Sequence, residues 1–144
     1  MATHFNPLGH ISLGIRSYEA SKAFYNAVLA PLGLKLVYDS ETIAPRTPRI
    51  LGYGPDEEHE LVNLFEYVDS ASAPGPGCHI AFNAPTWQAV RDFHEAAVRC
   101  GGKSNGDPGL RAHYGPNYYA AFVIDPDGWR LEAVCKSDES ESSS

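Results

Sequence analysis

The sequence lacks the features from which a disulfide scaffold, a membrane span or a basic binding surface is built. It has three Cys among 144 residues, an odd number with no CxxC pair, which argues against a disulfide framework and against a cysteine zinc site. No apolar run approaches the roughly 18 residues that a membrane span needs. The 11 Lys and Arg are outnumbered by 18 Asp and Glu, which argues against nucleic acid and anionic membranes as partners, because both need clustered cations.

The N-terminal residues also lack the charged start and apolar stretch of a secretory signal, so we expect a cytoplasmic protein. With 43% hydrophobic and 20% charged residues, the composition is typical of a soluble globular protein. The length suits one domain. Residues 137–144 contain only Ser, Asp and Glu, which are too polar to bury, and we predict that they form a disordered tail after a single domain over residues 1–136.

An internal repeat is the strongest signal in the chain. Gly9-His10-Ile11-Ser12-Leu13 and Cys78-His79-Ile80-Ala81-Phe82 lie 69 positions apart. Further residues agree at the same offset: Ile11 and Ile80, Ser17 and Thr86, Tyr18 and Trp87, Ala20 and Ala89, Phe24 and Phe93, Ala27 and Ala96, Gly33 and Gly102. A repeat of this kind predicts two similar half-domains that share one core, and it places two histidines in equivalent positions.

The hydrophobic pattern predicts one strand, one helix and then further strands in each half, with modules over about residues 7–68 and 77–136. In the first module, period-two alternation predicts a strand over 10–15, and helical spacing after Ser17 as N-cap predicts a helix over 18–29. Strands are predicted near 34–38, 49–53 and 61–68. In the second module we predict a strand over 79–83, a helix over 86–100, a loop over 106–116 and strands over 118–124 and 129–135. The turn Asp125-Pro126-Asp127-Gly128 joins the last two strands into a hairpin.

Strand alternation assigns the polar residues to one face of each strand. His10 and Ser12 share a face, as do His79 and Ala81, and Glu132 lies opposite its neighbours Leu131 and Ala133. If the helices cover the apolar faces, the other faces curve around a cleft that holds the two histidines and the glutamate.

The paired GHISLGI and CHIAFNA strands, the equivalent helices and the closing DPDGWRLEAV hairpin resemble the vicinal oxygen chelate superfamily. This superfamily includes glyoxalase I, extradiol dioxygenases and the fosfomycin and bleomycin resistance proteins. The resemblance covers residues 9 to about 136 and implies an α+β fold, with two βαβββ modules forming a curved mixed sheet around a cleft. It also implies a divalent metal held by residues of the first and last strands, which fall here on His10, His79 and Glu132, and it implies a homodimer.

Two imidazoles and one carboxylate suit Fe, Mn, Ni or Zn and leave coordination positions open for a chelating substrate. The fourth position of typical glyoxalase I proteins falls near Asn63, whose amide is a poor ligand, while Glu66 is in the opposite side-chain phase. The sequence therefore favours a three-ligand site. The alternative is structural: strand histidines are often hydrogen-bonded packing residues, and Arg130, on the same face, would then be the partner of Glu132.

A second passage of interest is the loop over residues 110–119. We assign His113 and Tyr119 as candidate proton carriers and Arg111 as an anion clamp. The remaining candidates for substrate contact are aromatic or amide side chains near the cleft: Asn63, Phe65, Tyr114 and Tyr118. An equally good interpretation is that the two adjacent tyrosines simply begin a strand and that His113 caps a turn. The other histidines, His4, His59 and His94, are expected to be solvated.

Together these features predict a metal-dependent lyase, isomerase or dioxygenase that acts on a small substrate with vicinal oxygens. The alternative is a metal-free small-molecule binding protein of the bleomycin resistance type, in which the aromatic residues of the cleft matter and the histidines do not.

Overall fold

The computed structural model describes residues 6–139, so His4 and the end of the predicted tail, residues 140–144, lie outside the described residues. Ser137, the first residue of that predicted tail, accepts a hydrogen bond through its carbonyl from the indole of Trp87 at 2.8 Å.

The first module begins with a strand and a helix and continues with three more strands. Its elements are β1 (Ile11–Ile15), α1 (Tyr18–Leu29), a 3-10 turn (Ala30–Leu32), β2 (Lys35–Asp39), α2 (Ser40–Ile43), β3 (Ile50–Gly54) and β4 (Val62–Glu66). The short helix α2 is absent from the sequence-based prediction. Asp39 caps it by accepting a hydrogen bond from the backbone N–H of Glu41 at 3.0 Å.

The second module has the same order. Its elements are β5 (Ile80–Asn83), α3 (Trp87–Arg99), β6 (Lys103–Leu110), β7 (Tyr119–Ile124) and β8 (Arg130–Cys135). The prediction of two βαβββ modules in an α+β fold is therefore confirmed.

The predicted loop over residues 106–116 is wrong in its first part, because β6 extends to Leu110. This strand contains Gly106, Pro108 and Gly109, and its pairing with β7 is irregular. Glycine and proline weaken a strand signal, but both are tolerated at a sheet edge, where β6 lies.

Each module forms its own four-stranded mixed sheet. The strand orders are β1-β4-β3-β2 and β5-β8-β7-β6. The strand that directly follows each histidine is an edge strand, and it runs parallel to the last strand of its module. The registers place Ser12 beside Asn63, and Ala81 beside Glu132. The predicted side-chain phases therefore bring the polar residues of neighbouring strands onto one face.

Equivalent capping residues begin the two long helices. The Ser17 hydroxyl accepts a hydrogen bond from the N–H of Ala20 at 3.1 Å, and the Thr86 hydroxyl accepts one from the N–H of Ala89 at 2.9 Å. Each bond satisfies one of the free N–H groups of a helix start. The repeat seen in the sequence is thus preserved in local hydrogen bonding.

The two helices pack against each other, and each also covers one face of its own sheet. Buried side chains of both modules form one continuous core, which includes Phe24 and Phe93 at repeat-equivalent positions. The helix layer therefore lies between the two sheets. We call the uncovered face of each sheet its outer face. Among residues 6–139, no helix combines the length and apolar character needed to cross a membrane.

The hairpin between β7 and β8 ties the modules together. Asp125 accepts a hydrogen bond from the buried phenol of Tyr25 on α1 at 2.6 Å, and the indole of Trp129 donates to the carbonyl of Gly14 at 2.9 Å. Asp125 also accepts from the N–H groups of Asp127 and Trp129. The predicted turn is therefore present and contacts the first module.

Candidate functional site

His79 and Glu132 meet on the outer face of the second sheet. His79 directly precedes β5, and Glu132 lies in the adjacent strand β8. The distance from His79 Nε2 to Glu132 Oε1 is 3.0 Å. The glutamate side chain is 3% exposed and the imidazole is 53% exposed, so a buried carboxylate contacts an imidazole that solvent can reach.

Tyr118 holds the other carboxylate oxygen of Glu132. Its phenol donates to Oε2 at 2.5 Å. Burial of the phenol and its hydrogen bond to the carboxylate raise the pKa of Tyr118 to about 12. The phenol therefore remains protonated near neutral pH and acts as a donor. Arg130, the expected non-metal partner of Glu132, does not contact it; the buried Arg130 Nε has no hydrogen-bond partner within residues 6–139.

Arg111 lies over the same face at the β6 side. Its Nη1 donates to the carbonyl of Gly109 at 2.8 Å, and its Nη2 donates to the carbonyl of Asp107 at 2.7 Å. The guanidinium carbon sits 5.3 Å from the ring centroid of Phe122, a distance at which a cation is attracted to an aromatic face. Backbone and ring thus hold the guanidinium in place, with its charge free of any carboxylate among the described residues.

The loop before β7 carries an exposed run of aromatic rings. The ring centroids of His113 and Tyr114 are 4.1 Å apart, and those of Tyr114 and Tyr118 are 5.2 Å apart. Tyr114, Tyr118 and Lys136 border an open cleft of about 370 Å³. A planar group of a ligand bound in this cleft would meet two tyrosine rings.

Tyr119 is not part of this arrangement. It follows Tyr118 directly in the chain, so its side chain leaves the opposite face of the strand. There its ring stacks on Trp87, with centroids 4.2 Å apart, and its hydroxyl accepts a hydrogen bond from Arg91 at 3.2 Å. The structure places the predicted proton carrier Tyr119 under helix α3.

The first sheet presents its own polar outer face. His10 directly precedes β1, is exposed, and forms no hydrogen bond or ion pair with the rest of the described chain. Ser12 lies beside Asn63, whose Oδ1 is buried without a hydrogen-bond partner within residues 6–139. Phe65, one of the predicted substrate contacts, borders a shallow depression of about 330 Å³ with Ser12 and Gly14.

Glu66 belongs to the helix-covered face, as its side-chain phase predicts. Its carboxylate forms two hydrogen bonds with Arg49, at 2.7 and 2.9 Å, and accepts a third from the N–H of Tyr18 at 2.8 Å. The guanidinium and the N–H hold the pKa of Glu66 below its usual value. This glutamate therefore has a structural partner and does not reach the outer face.

The predicted ligands fall into two groups. His79 and Glu132 form what we call the second half-site, and His10, Ser12 and Asn63 form the first half-site. Considering only residues 6–139, no three His, Cys, Asp or Glu side chains come together in a single chain in a way that could hold a metal ion. The helix layer separates the outer faces of the two sheets, so His10 does not reach the second half-site of its own chain.

The histidines predicted to be solvated differ from one another. His59 is exposed and pairs with Asp56 at 2.7 Å. His94 is half-buried, and its Nε2 contacts the Ser104 hydroxyl at 2.8 Å. The expectation for His94 is therefore wrong, because strand β6, which begins at Lys103, runs beside α3.

Phe122 is a residue of the outer face that the sequence interpretation missed. It lies directly across from Glu132, and its ring centroid is 6.3 Å from that of His79. The signal was available, because the hairpin turn at 125–128 fixes which residues of the two strands oppose each other.

The chain matches the family model described as Glyoxalase/Bleomycin resistance protein/Dioxygenase superfamily over residues 7–133. It belongs to this superfamily. The match spans both modules and both half-sites.

Relatives of known name or structure agree with this assignment. The lactoylglutathione lyase of Salmonella typhimurium is 31% identical over 138 residues, covering 90% of this chain and 92% of that protein. A glyoxalase/bleomycin resistance protein from Albidiferax ferrireducens T118 is 24% identical with a TM-score of 0.69, covering 90% of this chain and 98% of that one. A fosfomycin resistance protein, FosX, from Listeria monocytogenes is 16% identical with a TM-score of 0.68, covering 93% and 95%. That FosX variant was crystallised with Mn(II) and 1S,2S-dihydroxypropylphosphonic acid.

Proposed function

We propose that this protein is a metal-dependent enzyme of the glyoxalase and dioxygenase type, acting on a small substrate that binds the metal through vicinal oxygens. The proposed ligands are His10, His79 and Glu132, and the metal is Fe, Mn, Ni or Zn. The observation that carries the proposal is the contact of 3.0 Å between His79 Nε2 and Glu132 Oε1 on one sheet face.

This pair suits a divalent cation. Metal bonds to imidazole nitrogen and carboxylate oxygen are about 2.1 Å long, so His79 Nε2 and Glu132 Oε1 are close enough that both could bind one cation. A buried carboxylate is costly unless it is paired or binds a metal. Glu132 is buried, and its hydrogen-bond partners in the described chain are His79 and Tyr118. Neither side chain carries a permanent positive charge that would balance the carboxylate.

We further propose that the complete ligand set forms between two copies of the chain. The half-sites lie on opposite sides of the helix layer, and both β1 and β5 are edge strands with one unpaired side. Two copies related by a two-fold axis would bring His10 of the partner subunit to the second half-site of the first copy. Two equivalent sites would result, as expected for a symmetric dimer.

The residues around the second half-site have separable roles in this proposal. Arg111 would bind an anionic group of the substrate, since its charge is fixed by two carbonyls and is not neutralised by a carboxylate of residues 6–139. Tyr118 would donate a hydrogen bond to a substrate oxygen or orient Glu132. When bound, the metal would supply Lewis acidity and substrate orientation. The exposed His113 would exchange protons with solvent at the mouth of the site.

The test is a metal analysis of the full chain, purified without an affinity tag and without added metal. We expect Fe, Mn, Ni or Zn in the wild type and a loss of that metal in His79→Ala and Glu132→Gln. His59→Ala is the matched control, because His59 is exposed and lies in the loop after β3. Metal content that is equal in all four proteins would contradict the proposal.

Light scattering tests the shared site separately. We expect a mass twice that of the 15.7 kDa chain. If the measured mass is that of a single chain while the metal content is unchanged, the proposed dimer is wrong and the proposed metal binding still holds.

The metal-free binding function is the second candidate, and one observation favours it. The neighbouring rings of Tyr114 and Tyr118, with centroids 5.2 Å apart, border the open cleft of about 370 Å³, and neither histidine of the half-sites lines that cleft. If the wild type neither retains nor takes up Fe, Mn, Ni or Zn, ligand binding at these tyrosines becomes the better account. Aromatic ligands would then quench tyrosine fluorescence in the wild type and less in Tyr114→Ala.

A further inference from the structure

Glu60 projects onto the outer face of the first sheet from the loop between β3 and β4. Its carboxyl group occupies the space where a side chain at Gly52 would begin, so that any Cβ at position 52 would collide with it. A Cβ at Gly54 would lie 3.1 Å from the Glu60 Cα. Two glycines on the same face of β3 therefore leave a groove, and the chain around Glu60 lies in it.

The groove brings the carboxylate next to the first half-site. Gly52 is the cross-strand partner of Asn63, and Asn63 is the cross-strand partner of Ser12. Partners across neighbouring strands lie about 5 Å apart. The Glu60 carboxylate thus lies in one row with Asn63 and Ser12 across the outer face, and His10 lies two residues before Ser12.

Within residues 6–139, neither Glu60 nor the amide oxygen of Asn63 has a hydrogen-bond partner. Glu60 is half-buried and forms no hydrogen bond or ion pair with the chain from residue 6 to residue 139. Asn63 Oδ1 is buried and also unpaired in that part of the chain. Leaving a buried polar atom such as Asn63 Oδ1 unpaired costs folding free energy. An unpaired amide oxygen beside a carboxylate without an ion-pair partner in residues 6–139 indicates a place for a cation.

We propose that Glu60 supplies the carboxylate of the first half-site and acts there as a metal ligand beside His10, in place of the glutamate that position 63 lacks. The inference rests on the proposed function, because it concerns the same metal. The flexible side chain already lies on the correct face, and no partner within residues 6–139 holds it at Gly52. It completes a set of two imidazoles and two carboxylates, one of each from each half-site.

The experiment measures Mn(II) affinity of the metal-free full chain by electron paramagnetic resonance of the unbound ion. We expect Glu60→Gln to bind Mn(II) at least about tenfold more weakly than the wild type. Glu58→Gln is the matched control, because it removes one negative charge from the same loop at an exposed position. The Mn(II) affinity of this variant should equal that of the wild type.

Two further variants separate a ligand from a folding effect. Asn63→Glu places a carboxylate on β4 itself, so the double variant Glu60→Gln, Asn63→Glu should regain affinity. Gly52→Ala keeps every ligand but displaces the Glu60 carboxylate, and it should also weaken binding. Circular dichroism of each variant confirms that the fold is retained.

The two proposals fail in different ways. If Glu60→Gln binds Mn(II) as tightly as the wild type while His79→Ala has lost binding, Glu60 is not a metal ligand. The proposed metal-dependent function then still holds. If His79→Ala also binds like the wild type, both proposals are overturned.

Discussion

Tyr118 donates its phenol hydrogen to Glu132 Oε2 over 2.5 Å, and this bond connects the aromatic loop to the carboxylate of the second half-site. His79 holds the other oxygen of the same carboxylate. Glu132 therefore links three parts of the molecule: its own strand β8, the aromatic loop that carries Tyr118, and the imidazole of His79. Changes in any of the three should be detectable at the other two.

The first prediction concerns Tyr118→Phe in the metal-free protein. Loss of the phenol leaves Glu132 Oε2 without its hydrogen bond, and we expect the free energy of unfolding at pH 7 to fall by about 1 kcal/mol. Urea denaturation measures the difference. Tyr114→Phe is the control, since the Tyr114 side chain is exposed and contacts its neighbours through the ring; its stability should be unchanged.

The same bond has a pH dependence of known sign. The folded pKa of Tyr118, about 12, is above the ordinary tyrosine value of 10.0, so its contribution is fully present below pH 10 and is lost as the pH rises towards 12. The stability difference between the wild type and Tyr118→Phe should therefore shrink over this interval. A difference that stays constant to pH 12 would contradict the bond.

The second prediction concerns Tyr25 at the junction of the modules. Its buried phenol is the partner of Asp125 Oδ2, whereas Oδ1 has two backbone donors. Tyr25→Phe leaves Oδ2 of a buried carboxylate without its donor, and we expect a loss of about 2–3 kcal/mol at pH 7.

The pH dependence of this variant has the opposite sense. Burial raises the pKa of Asp125, although the Tyr25 hydrogen bond opposes the rise. The pKa of Asp125 is higher in the folded state than in the unfolded state. The charged carboxylate therefore lowers the free energy of unfolding above the folded pKa, and this effect disappears as the pH falls through the folded pKa. The deficit of Tyr25→Phe should therefore shrink in acid. Tyr53→Phe, which removes a bond to the neutral Asn26 amide at 2.7 Å, should show a deficit that stays constant over the same acid range.

Much of the fold could be predicted because the same pattern of strand, helix and strands occurs twice in the sequence. The capping residues Ser17 and Thr86, the helices that follow them and the turn at 125–128 each have a local signal that agrees with its counterpart or with turn chemistry. Strand β6 could not be predicted in this way. Its pairing with the next strand β7 is irregular, and its glycines and proline give no alternating pattern.

The candidate site was partly accessible for the same reason. Phase and repeat together placed His79 and Glu132 on one face, and the structure brings them into contact. The separation of His10 from them could not be predicted, because a hydrophobic pattern identifies which faces are buried but not how two modules pack. The position of Glu60 was equally hidden, since only the folded loop shows that it lies over Gly52.

The third prediction concerns the ion pair that fixes the start of α1. Two hydrogen bonds from Arg49 lower the pKa of Glu66. A lowered folded pKa means that the stabilisation is present above the unfolded value of about 4.5 and is lost as the pH falls through the folded value. Arg49→Met should lower the thermal midpoint at pH 7 and have little effect near pH 2. Lys35→Met, which removes an exposed pair with Glu57 at 3.6 Å, should leave both midpoints nearly unchanged.

The fourth prediction contrasts the two glycines that end the repeated helices, since they are glycines for different reasons. Gly33 adopts φ of +81° and has open space where a Cβ would lie, whereas a Cβ at Gly102 would lie 2.7 Å from the carbonyl oxygen of Ile124 and 2.6 Å from the Phe24 ring. Gly33→Ala should cost about 1 kcal/mol through backbone strain, and Gly102→Ala about 1–3 kcal/mol through overpacking. Asparagine distinguishes the causes. It tolerates the left-handed conformation, so Gly33→Asn should be milder than Gly33→Ala. The larger side chain should make Gly102→Asn worse than Gly102→Ala, and urea denaturation of the four variants would contradict this assignment if the two positions ranked alanine and asparagine alike.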